Sequence, residues 1–220
     1  MDRPRLDRLV IATHNRKKAG EMIQILSERF PELEFRTLAD YPDAPEPEET
    51  GTTYAENAAI KAESAAAATG EWSLADDAGL EIDALNGEPG LWSKRFAGED
   101  TPFLDKMRRI LERMNDVPET ERTARFRCCV ALAPPHTQHI TPNALVFEAI
   151  CEGRIAREPS GAGGFGYDPI FALPELQCTM ADLSAGEKHS VSHRGKVLRK
   201  LGSYLEATFS MPGSDGEGQP

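Results

Sequence analysis

The feature that most constrains the fold is an alternation in the first part of the chain. Short apolar runs at residues 8–12 (RLVIA), 33–38 and 72–75 are separated by two longer segments of helical character. In the first of these, 16–30, Ala19, Met22, Ile23, Leu26 and Phe30 recur at helical spacing; the second, 53–68, is rich in alanine. Strand-length runs between helices predict β-α-β-α-β, an α/β sheet with its ligands at the carboxyl ends of the strands. Residues 101–114 read as a further helix, with Phe103, Met107, Ile110, Leu111 and Met114 apolar. Residues 123–132 and 144–155 read as consecutive strands paired as a hairpin, so the sheet becomes mixed and the second half forms a lobe of its own. A last helix, capped by Ser192 and running to about Leu205, buries Val197, Leu198, Leu201 and Leu205. Residues 1–209 are expected to form one two-lobed domain, and 210–220 a disordered tail.

Composition excludes several classes of function. No apolar stretch approaches the roughly 18 residues of a membrane span, and the charged start MDRPRLDRLV has no apolar signal region. The four cysteines, Cys128, Cys129, Cys151 and Cys178, have no metal-binding or redox spacing. A reducing cytoplasm fits that pattern better than a zinc site or a disulfide framework. The formal net charge of −11 argues against non-specific binding to nucleic acid or to an anionic membrane. A small anionic substrate is compatible with it, because basic residues can gather in one place.

Three groups of residues carry possible chemistry. Asp76 and Asp77 follow the strand 72–75 and precede Ala78-Gly79, which predicts a strand end, a tight turn and two carboxylates at the lip of the sheet. Such a pair makes a poor core but can hold a divalent cation or a water. Glu48 and Glu49, in the acidic and proline-rich loop 40–51, could add hard oxygen ligands or serve only solubility. Lys18, Lys61, Arg95 and Lys188 are cations suited to phosphates. The turn Thr13-His14-Asn15-Arg16-Lys17-Lys18 lies between the first strand and the first helix, where backbone N–H groups face an anion. The plain alternative there is a solvated helix start capped by Asn15. The loop 158–171 sets Phe165 and Tyr167 among Gly161, Gly163, Gly164 and Gly166. It suits stacking on a planar base, or else plugs an aromatic into the core. Lys188, His193 and Arg194 sit before and within the first turn of the last helix, where cations are unfavourable unless an anion or an electron-rich ring docks there. Hard acids, phosphate-binding cations and a place for a heterocycle together describe a nucleoside triphosphate site.

These segments occur in the order of a known family. Thr13-x-Asn15-x-x-Lys18, Glu48-x-x-Gly51-x-Thr53 with Glu56-Asn57-Ala58, and Ala75-Asp76-Asp77-x-Gly79-Leu80 come first. Gly87-x-Pro89-Gly90, Ser93-x-Arg95, Gly98-Glu99-Asp100, the run from Gly163 to Phe171, and Ser192-His193-Arg194-Gly195 follow. The chain resembles the inosine triphosphatase family, also called XTP/dITP diphosphatase or Ham1-like, from about Leu9 to Leu205. The resemblance implies Mg²⁺-dependent hydrolysis of ITP, dITP and XTP to the monophosphate and pyrophosphate. It also implies a long mixed sheet flanked by helices, two lobes with an active-site cleft between them, and a homodimer. Carried over by position, Thr13, His14, Asn15, Arg16, Lys17 and Lys18 receive the phosphates. Glu48 and Asp77 hold the metal, Asp77 doubles as proton acceptor, and Lys18, Lys61 and Asp76 assist. Phe165, Gly166, Tyr167, Asp168, Lys188, His193 and Arg194 receive the base and the adjoining sugar-phosphate, with Ala78 and Arg95 as further substrate contacts. Ala78 stands where the family often has serine, and His14 where it often has glycine. A diphosphatase for modified pyrimidines or methylated bases, like the Maf family, would share the carboxylates and loops, as would a nucleotide sensor without turnover. A substrate panel scoring pyrophosphate separates these readings.

Overall fold

The computed structural model describes residues 3–135 and 144–212. The expected tail therefore lies mostly outside the described residues. Ser210, at its start, is tied down: its N–H donates to the Pro4 carbonyl at 3.0 Å, and its carbonyl accepts from Leu6 N–H at 3.1 Å.

In chain order the elements are β1 (Arg8–Ile11), α1 (Arg16–Ser27), β2 (Glu34–Thr37), α2 (Tyr54–Thr69), β3 (Ser73–Ile82) and α3 (Phe103–Arg113). They continue with β4 (Thr123–Ala133), β5 (Leu145–Ile155), β6 (Phe171–Leu173), β7 (Cys178–Thr179), α4 (Ala185–Val191) and α5 (His193–Thr208). The strands form one mixed seven-stranded sheet in the order β2-β1-β3-β4-β5-β6-β7. β1 pairs in parallel with β2 and β3, and β6 pairs antiparallel with β5 and β7. The chain divides into two compact units, residues 1–77, 129–148 and 197–220, and residues 78–128 and 149–196. The divisions fall inside β3, β4, β5 and α5.

In the first unit, helix starts are encoded locally. The Asn15 side chain accepts from Lys17 and Lys18 N–H at 3.0 and 3.2 Å, so two of α1's orphan donors are satisfied. Thr53 and Glu56 cap α2 reciprocally, each backbone N–H donating to the other's side chain at 3.1 Å, and Gly70 ends the helix at φ 70°. The chain steps from β1 to β2 through α1, then back past β1 to β3 through α2. Right-handed crossovers in that order place α1 and α2 on opposite faces of the sheet and make the β1/β3 boundary a topological switch point. Leu9, Val10, Ile11, Met22, Leu26, Ala58, Ala62 and Leu74 are buried in this unit.

One expectation is corrected here. The strand does not stop at Ala75, and Ala78-Gly79 is not a turn: β3 runs unbroken for 10 residues through both aspartates. The element that ends is β1, whose last pairing is Ile11 with Leu74. Asp76 and Asp77 therefore lie just past the end of one neighbour's ladder, inside a strand that continues. Its other neighbour in the sheet, β4, lets the strand continue where β1 stops.

In the second unit the core gathers Leu80, Ile82, Ile110, Phe126, Ile155, Ile170 and Phe171. Arg122 is fully buried and donates to three carbonyls, those of Ile155, Ala156 and Met114, tying the end of α3 to the end of β5. A second correction concerns residues 181–194. They hold a separate helix, α4, capped by Ser184 with Glu187, so Lys188 belongs to α4 and not to the approach of the last helix. Ser192 ends α4 and, as expected, opens α5, accepting from Gly195 N–H at 3.1 Å.

Candidate active site

Successive residues of a strand point to opposite faces, and the two aspartates acquire different partners accordingly. Lys18, from α1, reaches Asp76 with Nζ 3.2 Å from Oδ2; the Asp76 side chain is wholly inaccessible to solvent. Lys61, from α2, lies 3.4 Å from Asp77 Oδ1, and Asn57, one helical turn earlier, donates to Asp77 Oδ2 at 3.3 Å. The loop before α2 is drawn into the same cluster. Glu49 accepts from Lys61 Nζ at 2.9 Å, and Asn57 Oδ1 accepts from Gly51 N–H at 2.9 Å. A Cβ at Gly51 would stand 2.6 Å from that Asn57 oxygen, so the close approach of loop to helix requires glycine.

Among the described residues, three carboxylates, Asp76, Asp77 and Glu49, gather around two ammonium groups, Lys18 and Lys61. Burial pushes the Asp77 carboxyl above the ordinary carboxylate range, and Glu49 and Asp76 add to the effect; Lys61 and Lys18 offset only part of it. For Lys61 burial pulls the other way, but Asp77, Asp76 and Glu49 together outweigh it and hold the ammonium above the usual lysine value. A partly open, over-anionic cluster of hard oxygens suits a divalent cation. Among the described residues no three His, Cys, Asp or Glu side chains converge into a ready-made cage.

The remaining phosphate candidates surround the start of α1. Thr13 Oγ1 accepts from Asn15 N–H at 3.2 Å, while His14, Arg16 and Lys17 are exposed. Glu48 is exposed on the loop beside Glu49, which is the glutamate engaged with Lys61.

The second unit holds the other candidates. Asp168 Oδ2 accepts from Lys188 Nζ and from Phe165 N–H, each at 2.8 Å, and both Lys188 and Asp168 are buried. A Cβ at Gly164, which has φ 66°, would lie 2.1 Å from the same oxygen. The loop can therefore fold over Asp168 only with glycine there. Lys188 Nζ stands 4.6 Å and the Arg194 guanidinium 5.6 Å from the centre of the Phe165 ring, so the ring is held by two cations. His193 is buried and stacked on Phe126, with ring centres 4.7 Å apart.

Tyr167 and Arg95 have different surroundings. Tyr167 is a buried tie: its hydroxyl donates to the Ser93 carbonyl at 2.9 Å, and burial pushes its pKa well above the usual tyrosine value. Arg95 is exposed and stands over the Trp92 ring at 5.9 Å. Ala78 is half-buried within β3, and Gly166 is half-buried at φ 70°. Sequence reasoning left Asn57 and Phe126 out of the site. The four-residue spacing of Asn57 and Lys61 does put both on one helix face; Phe126 carries no signal, since nothing in a strand pattern says which aromatic meets a histidine.

The model of the Ham1 family matches residues 9–204. The chain belongs to the Ham1 family. Among its relatives, the dITP/XTP pyrophosphatase of Geobacillus kaustophilus is 46% identical over 198 residues, covering 90% of this chain and 94% of that protein. The dITP/XTP pyrophosphatase of an Exiguobacterium species is 49% identical over 194 residues, covering 88% of this chain and 94% of the relative. Among solved structures, a HAM1 protein from Coxiella burnetii matches with a TM-score of 0.80 at 40% identity, covering 91% of this chain and 98% of that one. The mixed sheet flanked by helices is thus the Ham1 architecture. No helix among the described residues of this Ham1 chain is long and apolar enough to cross a membrane.

Proposed function

We propose that this Ham1-family chain is a nucleoside triphosphate pyrophosphatase. It hydrolyses non-standard purine nucleotides, XTP, dITP and ITP, to the monophosphate and pyrophosphate and so removes them from the nucleotide pool. The observation that carries this reading is the over-anionic cluster of Asp76, Asp77 and Glu49 around Lys18 and Lys61.

Asp77 and Glu48 hold Mg²⁺ in this reading, and the metal when bound supplies neutralisation of phosphate charge. The chain's own residues do the rest. A water oxygen forms a bond to the α-phosphorus as the bond to the bridging oxygen breaks, and pyrophosphate leaves. Asp77 accepts the proton of that water as general base. Lys18 and Lys61 face the charge that spreads over the transferring group. Asp76, buried against Lys18, holds that lysine in place. Thr13, Asn15 and the exposed His14, Arg16 and Lys17 receive the rest of the triphosphate at the start of α1.

The base is read in the second unit. Phe165 offers a ring face for stacking, Lys188, His193 and Arg194 offer donors, and Asp168 keeps Lys188 and the Phe165 backbone in register. Hypoxanthine and xanthine present a carbonyl acceptor at the six-position, where adenine presents an amino donor. A donor left facing that amino group costs on the order of 1–3 kcal/mol, which is the basis of discrimination against ATP. The protein acts in the cytoplasm as a homodimer, with no role for nucleic acid or membrane.

The test is a nucleotide panel with Mg²⁺ that scores both products. ITP should yield inosine monophosphate and pyrophosphate. Release of single phosphate would overturn the reaction, and equal turnover of ATP would overturn the base selectivity.

A further inference from the structure

α3 contains a buried lysine that the chemistry above does not use. Lys106 is 1% exposed. Its Nζ donates to the Lys94 carbonyl and, at 3.5 Å, to the Glu99 carbonyl, and it stands 5.1 Å from the centre of the Phe103 ring. An ammonium is strongly hydrated and is rarely buried without a carboxylate. Burial accordingly pulls its pKa below the usual lysine value, against the weaker pull of Glu99. Packing alone would be served better by an apolar residue of the same length.

The two carbonyls that accept from Lys106 bracket one loop, and that loop carries Arg95. The loop is tightly wound. Ala97 and Gly98 take φ 61° and 110°, Arg95 N–H donates to the Trp92 carbonyl at 2.8 Å, and Gly98 N–H returns to the Arg95 carbonyl at 2.9 Å. Thr101 Oγ1 donates to the Ala97 carbonyl at 2.7 Å. A non-glycine residue at positive φ is held there only when its surroundings over-determine it. The side chains of Lys94 and Arg95 remain exposed while the Lys94 and Glu99 carbonyls turn inward to the buried cation.

We infer that Lys106 is a positioning residue for Arg95: its ammonium gathers the inward carbonyls of the 94–99 loop and thereby fixes where the Arg95 guanidinium stands to meet the substrate's anionic portion. This inference rests on the proposed function, with Arg95 as the substrate contact that the family resemblance implies. Lys106 touches no substrate atom and acts only through the loop. Phe103 lies against both Lys106 and Tyr167, whose ring centre is 5.1 Å away, so the same clamp also borders the glycine-aromatic loop.

The test is a double-mutant cycle on the full chain with ITP and Mg²⁺, reading kcat and KM separately together with thermal melting. Arg95→Ala should raise KM by roughly tenfold. Lys106→Met should raise KM severalfold with kcat within about twofold, and should add nothing to KM in the Arg95→Ala background. Lys106→Arg, which keeps the charge and the donors, should recover most of the loss. Equal effects of Lys106→Met in the two backgrounds, or no effect on KM, would overturn the inference while leaving the role of Arg95 intact. An unchanged KM in Arg95→Ala would overturn both. If Lys106→Met does not fold, Lys106→Gln, which keeps amide donors without the charge, carries the same cycle. Failure of both to fold would assign Lys106 to the core alone and overturn the inference.

Discussion

Each unit contains a lysine–aspartate pair, and the two pairs are built differently. Lys188 and Asp168 are buried, meet at 2.8 Å, and share the acceptor oxygen with a backbone N–H. Burial, short distance and a shared backbone donor all point to closure. Lys61 and Asp77 stand 3.4 Å apart, keep 16% and 14% of their side chains exposed, and are crowded by Glu49 and Asp76. The first pair holds a loop in shape. The second is partly open and crowded by like charge, which suits the cation and polyphosphate proposed for it.

The largest effect that could break this contrast is on turnover. Asp77→Asn should lower kcat by roughly 10³-fold while the circular dichroism spectrum stays as in the parent. Its stability should move the other way. The folded-state pKa of Asp77 is raised, so folding favours the protonated carboxyl. That contribution is full below the ordinary carboxylate range and is lost as pH rises through the raised value. At neutral pH and without metal, Asp77→Asn should therefore melt above the parent, and the gap should close on acidification. A variant that melts lower under those conditions would show that Asp77 is a structural partner like Asp168.

Asp168→Asn is the counterpart. It leaves the Lys188 ammonium buried without its carboxylate, which costs about 3 kcal/mol and should appear as a clear fall in Tm by calorimetry. If Asp168→Asn and Asp77→Asn shift Tm in the same direction at neutral pH, the distinction between the pairs fails. The smallest effect sharpens the open site itself. Glu48→Gln should raise the half-saturating Mg²⁺ concentration by about tenfold or more, and Glu49→Gln, whose carboxylate engages Lys61, by less. The reverse order in a metal titration of activity would exchange the roles of the two glutamates.

Much of the local structure around the candidate site was legible because its parts are local. Asn15 announces the start of α1, Thr53 with Glu56 announces α2, and the glycine-aromatic run announces a loop whose backbone comes close to something. The α4 helix was legible too, in the spacing of Ser184 and Glu187, but the polar character of residues 181–194 masked it. Other features had no local signature. The extension of β3 through Asp76 and Asp77 depends on its neighbours in the sheet. Tyr167 has the same neighbours in sequence whether its hydroxyl meets a ligand or the Ser93 carbonyl, as it does here.

The sequence by itself determined the α/β alternation, the family, and the set of acids, amines and aromatics available for chemistry, because capping, periodicity and motif order act over a few residues. Only the tertiary structure decided which acid faces which amine. Crossover handedness put α1 and α2 on opposite faces of the sheet, so adjacent aspartates that are indistinguishable in the sequence became a buried partner of Lys18 and a half-open partner of Lys61. That division follows from burial and unequal charge, which belong to the folded arrangement and not to any residue in it.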